Sequence, residues 1–413
     1  MRAMLESVLG RRMSLFQADM VEHSTAIRER IQDQRVLVTG AAGSIGSATI
    51  RQLALYSPAR LVALDLSENN LVELVRDLRS SPDLDPGDAL RTSVVDFGSD
   101  TCASLLEAEG PFDLILHFAA MKHVRSQRDV FSLSRLVETN VLSVDRFLGN
   151  VKRLFPCDVF AISTDKACRP ENFMGATKRL MESVLAWHSD QRGSILAGGH
   201  AAPLQRVAST RFANVAFSDG SLLAGFLRRI EKRQPLAGPA DVRRYFISEE
   251  EAGQLCLLTA ALGESCQIFV PRRNPSADAK RFDEIAEIVL RASGFEPRWY
   301  DRFEDATAGL REDLAAGRYP CCFLPSDTSG EKELEEFVAP DERLAASPFQ
   351  AVDVIEESPD PGFETVAEVV GELSDVVTDT SLANAYERIA ALLERAVPAF
   401  SHADTGRNLD QKA

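Results

Sequence analysis

The chain has 413 residues, more than one ordinary domain, with 45% apolar and 26% charged side chains, the composition of a water-soluble globular protein. Its 46 basic and 62 acidic residues leave a formal charge of −16; nucleic acid and anionic membranes are therefore not expected partners, and an anionic substrate needs local cations of its own. No apolar run is long enough to span a bilayer, the first residues carry no secretory leader, the six histidines show no metal-ligand spacing, and seven cysteines without a CxxC point to reduced thiols, a cytoplasmic setting and no metal.

Residues 1–33 have amphipathic helical periodicity, with Leu5, Val8 and Leu9 free to pack either on the core or on a neighbouring subunit. Residues 35–39 read as a strand, followed by a turn holding Gly40, Gly43, Ser44, Ile45 and Gly46, and then a helix to residue 55. Glycines in a strand-to-helix turn let the backbone approach a pyrophosphate, which the helix N-terminus favours; these five residues are candidate dinucleotide contacts. A second strand, 60–64, ends at Asp65. A carboxylate about 20 residues past the glycines binds both hydroxyls of an adenine ribose and repels a 2′-phosphate, which selects NAD over NADP.

A helix over 68–79 and a third strand ending at 94–96 follow, with Asp96 placed to accept from the adenine amino group. The fourth strand, 113–118, precedes Ala119 and Ala120, whose small size lets a cofactor lie against the backbone; helical periodicity from 133 to 154 contains Asn140. Alternating strands and helices argue for right-handed βαβ units and an α/β fold with a Rossmann-type, doubly wound parallel sheet.

The fifth strand, 159–162, ends in Ser163, Thr164, Asp165 and Lys166. Pro170 breaks the chain, and a helix starts near 172, on which Met174 and Lys178 are four apart and share a face. A hydroxyl, a carboxylate and an amine thus stand at the carboxyl end of a strand, the ligand-binding edge of such sheets. Residues 192–202 read as a loop, and a sixth strand, 207–212, leads to Asn214. Arg243 and Arg244 are candidate phosphate ligands. Helices are expected over 249–262 and 282–292, with a strand at 268–270 between them. Beyond 340 the chain reads as acidic and irregular until a helix at 382–397, either docked or dimerising, and then as disordered from about 401.

Taken together, TGAAGSIG, HFAAMKHV, STDKACRPENFMGATKR, RFANV and RRYF resemble the extended short-chain dehydrogenase/reductases. Within them they resemble the nucleotide-sugar 4,6-dehydratases of bacterial polysaccharide biosynthesis, which act mainly on UDP-N-acetylglucosamine. The resemblance covers roughly residues 34–340. It implies an NAD domain over 34–205, a smaller sugar-nucleotide α/β region over 206–340, and a homo-oligomer; the helical segment (1–33) and the acidic extension (341–413) on either side are read from the residues alone. It also implies a reaction: NAD takes hydride from C4, a base removes the C5 proton, the C6 hydroxyl leaves as water, and hydride returns to C6.

Under this resemblance Thr164 bonds the C4 oxygen, and Asp165 is the acid/base for the C6 hydroxyl. Lys166 is the C5 base, its pKa lowered by burial and by nearby Lys178, and Lys178 holds the nicotinamide ribose. Lys122, Asn214, Arg244 and Glu331 contact the substrate. Met174 stands where the family's YxxxK motif has tyrosine. It cannot exchange a proton, so C4 oxidation falls to Asp165 or to a water, and Met here goes with the C5-retaining members. The family's RPGEK reads Thr328-Ser329-Gly330-Glu331-Lys332 and lacks the arginine. Two other readings stand beside this one: a nucleotide-sugar 4-epimerase, which usually relies on the tyrosine, and a non-catalytic NAD-binding protein, which has no use for Thr164, Asp165 and Lys166.

Overall fold

A computed structural model describes residues 1–122, 129–189, 204–272, 278–326, 331–357, 362–379 and 384–402. The expectations for the loop at 192–202, residues 328–330 and the tail from 403 lie outside the described residues. Strands are numbered β1 to β16 along the chain.

Seven strands form the parallel body of a nine-stranded sheet: β1 (Arg35–Thr39), β2 (Arg60–Asp65), β3 (Leu90–Val94), β4 (Leu114–His117), β5 (Asp158–Thr164), β6 (Arg206–Phe212) and β11 (Ile268–Pro271). Their order is β3-β2-β1-β4-β5-β6-β11, and the sheet continues antiparallel through β16 (Val352–Glu357) to β15 (Arg343–Leu344). The order reverses between β1 and β4, which opens a crevice at the carboxyl ends of these strands. Side chains alternate across the sheet, so Val36 and Val38 enter one apolar core and Leu37 the other.

On the first face, helix Glu249–Leu262 presses on helix Ser44–Ala54: a Cβ on Gly253 would meet the Ala48 carbonyl at 2.6 Å. Helix Glu249–Leu262 begins with a capping box between Ser248 and Glu251. Arg11 pairs with the same Glu251 carboxylate through two nitrogens, at 2.7 and 2.6 Å. The N-terminal helices Arg2–Leu9, Gln17–Glu22 and Ser24–Ile31 are thereby held against this chain's own core, which settles the choice left open above.

The second face carries helices Asp100–Glu109, Ser143–Leu154 and Phe173–Ser189. Over them lie helices Phe363–Thr378 and Ala385–Ala396, whose Val366, Val369, Leu373, Ile389 and Leu393 are buried. The expectation of irregular chain from 341 to 381 is therefore corrected: β15, β16 and Phe363–Thr378 are regular, and the last helix is docked. Phe363–Thr378 has apolar residues at helical spacing, but their β-branched side chains weaken the propensity signal.

A third core, around Phe226, Leu236, Ile285 and Tyr319, belongs to the smaller region. It is built on a three-stranded parallel sheet, β13-β14-β8, from β8 (Leu236–Pro239), β13 (Glu296–Trp299) and β14 (Arg318–Leu324). Two ribbons join it to the main sheet: β7 (Asn214–Val215) pairs with β10 (Phe246–Ile247), and β9 (Arg243–Arg244) with β12 (Lys280–Arg281).

Candidate active site

The glycine turn has the geometry a dinucleotide needs. Gly40 has φ +66°, and a Cβ there would meet the Ala119 nitrogen at 2.5 Å; a Cβ on Gly46 would meet the Gly40 carbonyl at 2.3 Å. The turn is thus closed tightly by two glycines that tolerate no side chain. Gly43, at the N-cap of Ser44–Ala54, is exposed and its Cβ position is nearly open, so the helix N-terminus is accessible to an anion. Ser44 Oγ accepts from the Asp219 backbone nitrogen at 3.1 Å, and Ile45 packs beside it on the core. Asp65, at the end of β2, accepts from the nitrogens of Ala42 (3.0 Å) and Ser67 (2.9 Å), which orients its carboxylate over the turn.

Asp96 lies two residues beyond the end of β3, where it accepts from the Gly98 nitrogen at 3.0 Å and faces Arg135. Ala119 and Ala120 follow β4, half-buried against the turn. Asn140 is placed differently from the expectation. It sits in a wide π-helical turn, Glu138–Leu142, that interrupts the expected single helix. Its Oδ1 accepts from the Met121 nitrogen, and its Nδ2 donates to the Met121 carbonyl (both 2.9 Å) and to Thr177 Oγ1 (3.2 Å). The amide thereby clamps the segment after β4 to helix Phe173–Ser189.

Beyond β5 the chain enters a short turn, Asp165–Ala167. Thr164 Oγ1 donates to Asp165 Oδ1 at 2.9 Å, and Lys166 Nζ donates to the same oxygen at 3.0 Å. Asp165 is 2% exposed. Helix Phe173–Ser189 is pressed onto this turn at Gly175, where a Cβ would meet the Lys166 carbonyl at 2.4 Å. That contact sets the first turn of the helix, with buried Met174, against the Asp165–Ala167 turn. Lys178, one turn on, is buried, and its Nζ lies 3.1 Å from Met181 Sδ. Burial pushes its pKa down to about 8, against the pull of Glu182.

Lys166 corrects the sequence reading. Burial does oppose its charge, but the Asp165 and Glu335 carboxylates outweigh burial and hold the ammonium above the ordinary lysine pKa; the opposing cation is Arg244, not Lys178. His117, at the end of β4, bonds Thr39 Oγ1 through Nδ1 at 2.7 Å. Burial, and then the charge of Lys178, lower its pKa to about 3, so its imidazole is neutral beside the site.

Of the expected substrate residues, Lys122 donates to the Asp219 carbonyl at 2.8 Å. Asn214 has a buried Nδ2 with no partner among the described residues. Arg244 is 3% exposed and is committed internally: Nη1 donates to the carbonyls of Arg243 (2.8 Å) and Lys332 (2.9 Å), and Nη2 faces Glu331 at 3.4 Å. It therefore braces the 331–333 segment, while Arg243 and Arg281 line an open cleft of about 460 Å³ with Ser326 and Glu331. Sequence reasoning missed Glu335, which lies 3.5 Å from Lys166, because in the acidic run 331–336 it reads as one more solvated carboxylate.

A doubly wound sheet with a glycine turn after β1, an acid at the end of β2 and a Thr-Asp-Lys turn packed on an MxxxK helix defines an extended short-chain dehydrogenase/reductase. The chain belongs to the family described as polysaccharide biosynthesis protein, which matches residues 36–315. It is similar to the capsular polysaccharide biosynthesis protein CapD of Staphylococcus aureus, at 29% identity over 70% of this chain and 45% of that protein, so it spans less than half of that relative. It is 26% identical to a UDP-N-acetylglucosamine 4,6-dehydratase (inverting) of Campylobacter jejuni over 58% of this chain and 67% of that one. A UDP-glucose 4-epimerase of Rickettsia akari is also 26% identical, over 61% of this chain and 71% of that one. The fold is shared with the dTDP-glucose 4,6-dehydratase DesIV of Streptomyces venezuelae, solved with NAD and TYD bound, at TM-score 0.53 and 21% identity over 74% of this chain and 88% of that one. No helix among the described residues is long and apolar enough to cross a membrane.

Proposed function

We propose that the chain is an NAD-dependent nucleotide-sugar 4,6-dehydratase. Its substrate is UDP-N-acetylglucosamine, and its product is the UDP-linked 4-keto-6-deoxy-N-acetylhexosamine with C5 configuration retained. It acts as a cytoplasmic homo-oligomer in bacterial polysaccharide or glycoconjugate synthesis. The observation that carries this reading is the contact set after β5, where one buried carboxylate oxygen takes both a hydroxyl and an ammonium. A module that only binds a dinucleotide has no use for such a set.

NAD fits the residues present: the tight turn at Gly40 and Gly46, the open helix N-terminus at Gly43, the oriented Asp65 carboxylate and the buried Lys178 amine for the nicotinamide ribose. When bound, NAD supplies a two-electron acceptor for C4 that is restored at C6. Thr164 takes the C4 hydroxyl proton and passes it along its own bond to Asp165 Oδ1. Asp165, now a carboxylic acid, protonates the departing C6 hydroxyl. Lys166 removes and returns the C5 proton. General acid–base help of this kind is worth about 10²–10⁴-fold. Met174 contributes bulk and dryness, not a proton. In this reading the Nδ2 of Asn214, which has no partner among the described residues, and the cleft of Arg243, Arg281, Ser326 and Glu331 receive the sugar nucleotide, with Lys122 at the rim.

The test is mass spectrometry on a panel of nucleotide sugars. UDP-N-acetylglucosamine is expected to lose one water and, in deuterated water, to gain one deuterium at C5. An epimerase would rearrange the sugar without loss of water, and a binding protein would leave it intact. Lys166→Ala is expected to abolish water loss while NAD stays bound; wild-type rates in that variant would remove Lys166 from the mechanism.

A further inference from the structure

Glu335 is a buried acid with an unanswered oxygen. It is 3% exposed. Its Oε1 lies 3.5 Å from Lys166 Nζ and 3.7 Å from Arg244 Nη2, and its Oε2 is buried without a hydrogen-bond partner among the described residues. Lys166 Nζ therefore sits between two carboxylates, Asp165 at 3.0 Å and Glu335 at 3.5 Å. We propose that Glu335 is the proton store of the site: it takes a proton from the Lys166 ammonium, so that the free amine can act at C5, and later returns it.

The inference rests on the dehydratase reading and follows from counting protons. An ammonium has no lone pair, so Lys166 must shed a proton before it can serve as a base. Asp165 cannot take that proton, because it has already received the C4 hydroxyl proton through Thr164 and keeps it for the C6 oxygen. Among the described residues, Glu335 is the remaining carboxylate paired with Lys166. An N–H bond of Lys166 breaks and an O–H bond forms on Glu335. The amine removes the C5 proton and becomes ammonium. It reprotonates C5 and becomes the amine again, and Glu335 then gives its proton back. The C4 hydroxyl proton leaves in the water, and the site ends as it began with no outside acid or base. Four charged groups bear on Glu335. Burial raises its pKa, as does the charge of Asp165, and together they prevail over the lowering by Lys166, Arg244 and Lys332. A carboxylate so placed accepts a proton more readily than one in water.

Glu335→Gln in the full chain tests this, with UDP-N-acetylglucosamine in deuterated water. The amide keeps the shape and loses the acceptor. C4 oxidation, read from the absorbance of the reduced nicotinamide, is expected to proceed at the wild-type rate, while C5 deuterium uptake and water loss fall about 10²-fold. Glu335→Asp, with its carboxylate one methylene further back, is expected to fall between the two. If the glutamine variant does not hold its fold, the aspartate variant carries the same comparison. Undiminished C5 exchange in either variant, or an equal fall in C4 oxidation and C5 exchange, overturns the assignment. If the wild-type protein neither oxidises nor dehydrates any nucleotide sugar, the dehydratase reading fails and the Glu335 assignment goes with it. Wild-type turnover with an unaffected Glu335→Gln sinks Glu335 alone.

Discussion

Two lysines serve the site under opposite electrostatics. Lys166 is held charged by two carboxylates, whereas Lys178 is buried beside a thioether, with a pKa near 8. If Lys178 holds the ribose as proposed, cofactor retention should weaken as pH rises through about 8, where the amine loses its charge; a flat NAD titration from pH 7 to 9 would contradict this. Below the site, Glu182 is bonded by Ser163 and Arg179, and it meets Arg211 at 2.9 Å through both of its oxygens. Burial opposes its charge, but these partners, Arg211 foremost, hold its pKa at about 2. A depressed carboxylate stabilises above its unfolded pKa and loses that contribution as pH falls through the folded one. Stability should thus decline between about pH 4.5 and pH 2. Glu182→Gln should unfold more easily at neutral pH, by less than the about 3–5 kcal/mol of a buried charge left unpaired, because Arg211 keeps its two bonds to Glu342. Denaturant titrations across that pH range measure both effects.

Among the elements, helix Phe173–Ser189 decides whether the polar residues form a site. It touches the Asp165–Ala167 turn through a glycine that has no room for a methyl group. Gly175→Ala should force helix and turn apart, at about 1–3 kcal/mol of stability. Water loss should fall disproportionately, since Met174 and Lys178 ride on that helix. A variant destabilised yet fully active would show that the spacing is not critical. The π-helical turn at Glu138–Leu142 acts similarly on the opposite wall: the widened backbone lets Asn140 reach both Met121 and Thr177.

At the scale of the whole molecule, the N-terminal helices and the last two described helices close over the central sheet. Asp19 accepts from the nitrogens of Gln350 (2.6 Å) and Ala351 (2.9 Å), tying the N-terminal helices to the segment before β16. The helices Phe363–Thr378 and Ala385–Ala396 cover the apolar back of the helix that carries Met174 and Lys178. Ending the chain before Gly362 should expose that face. The truncated protein is expected to melt lower and to self-associate, as read by light scattering; an unchanged mass and melting temperature would mean that the pair contributes no cover.

Much of this was legible in the residues alone. The boundaries of 68–79, 249–262 and 282–292 fell where the helices are, because apolar periodicity and capping residues are local signals. The glycine turn, Asp65 and the Thr164, Asp165, Lys166 run were visible for the same reason: their chemistry lies in short contiguous stretches. Only the tertiary structure decided that Lys166 lies between two carboxylates, that Arg244 braces a loop, that Asn140 clamps a wall and that Glu335 enters the site. Each of these depends on which distant groups are brought within a few ångströms in a dry interior, and neither burial nor Coulomb's law at such range leaves a mark on sequence spacing.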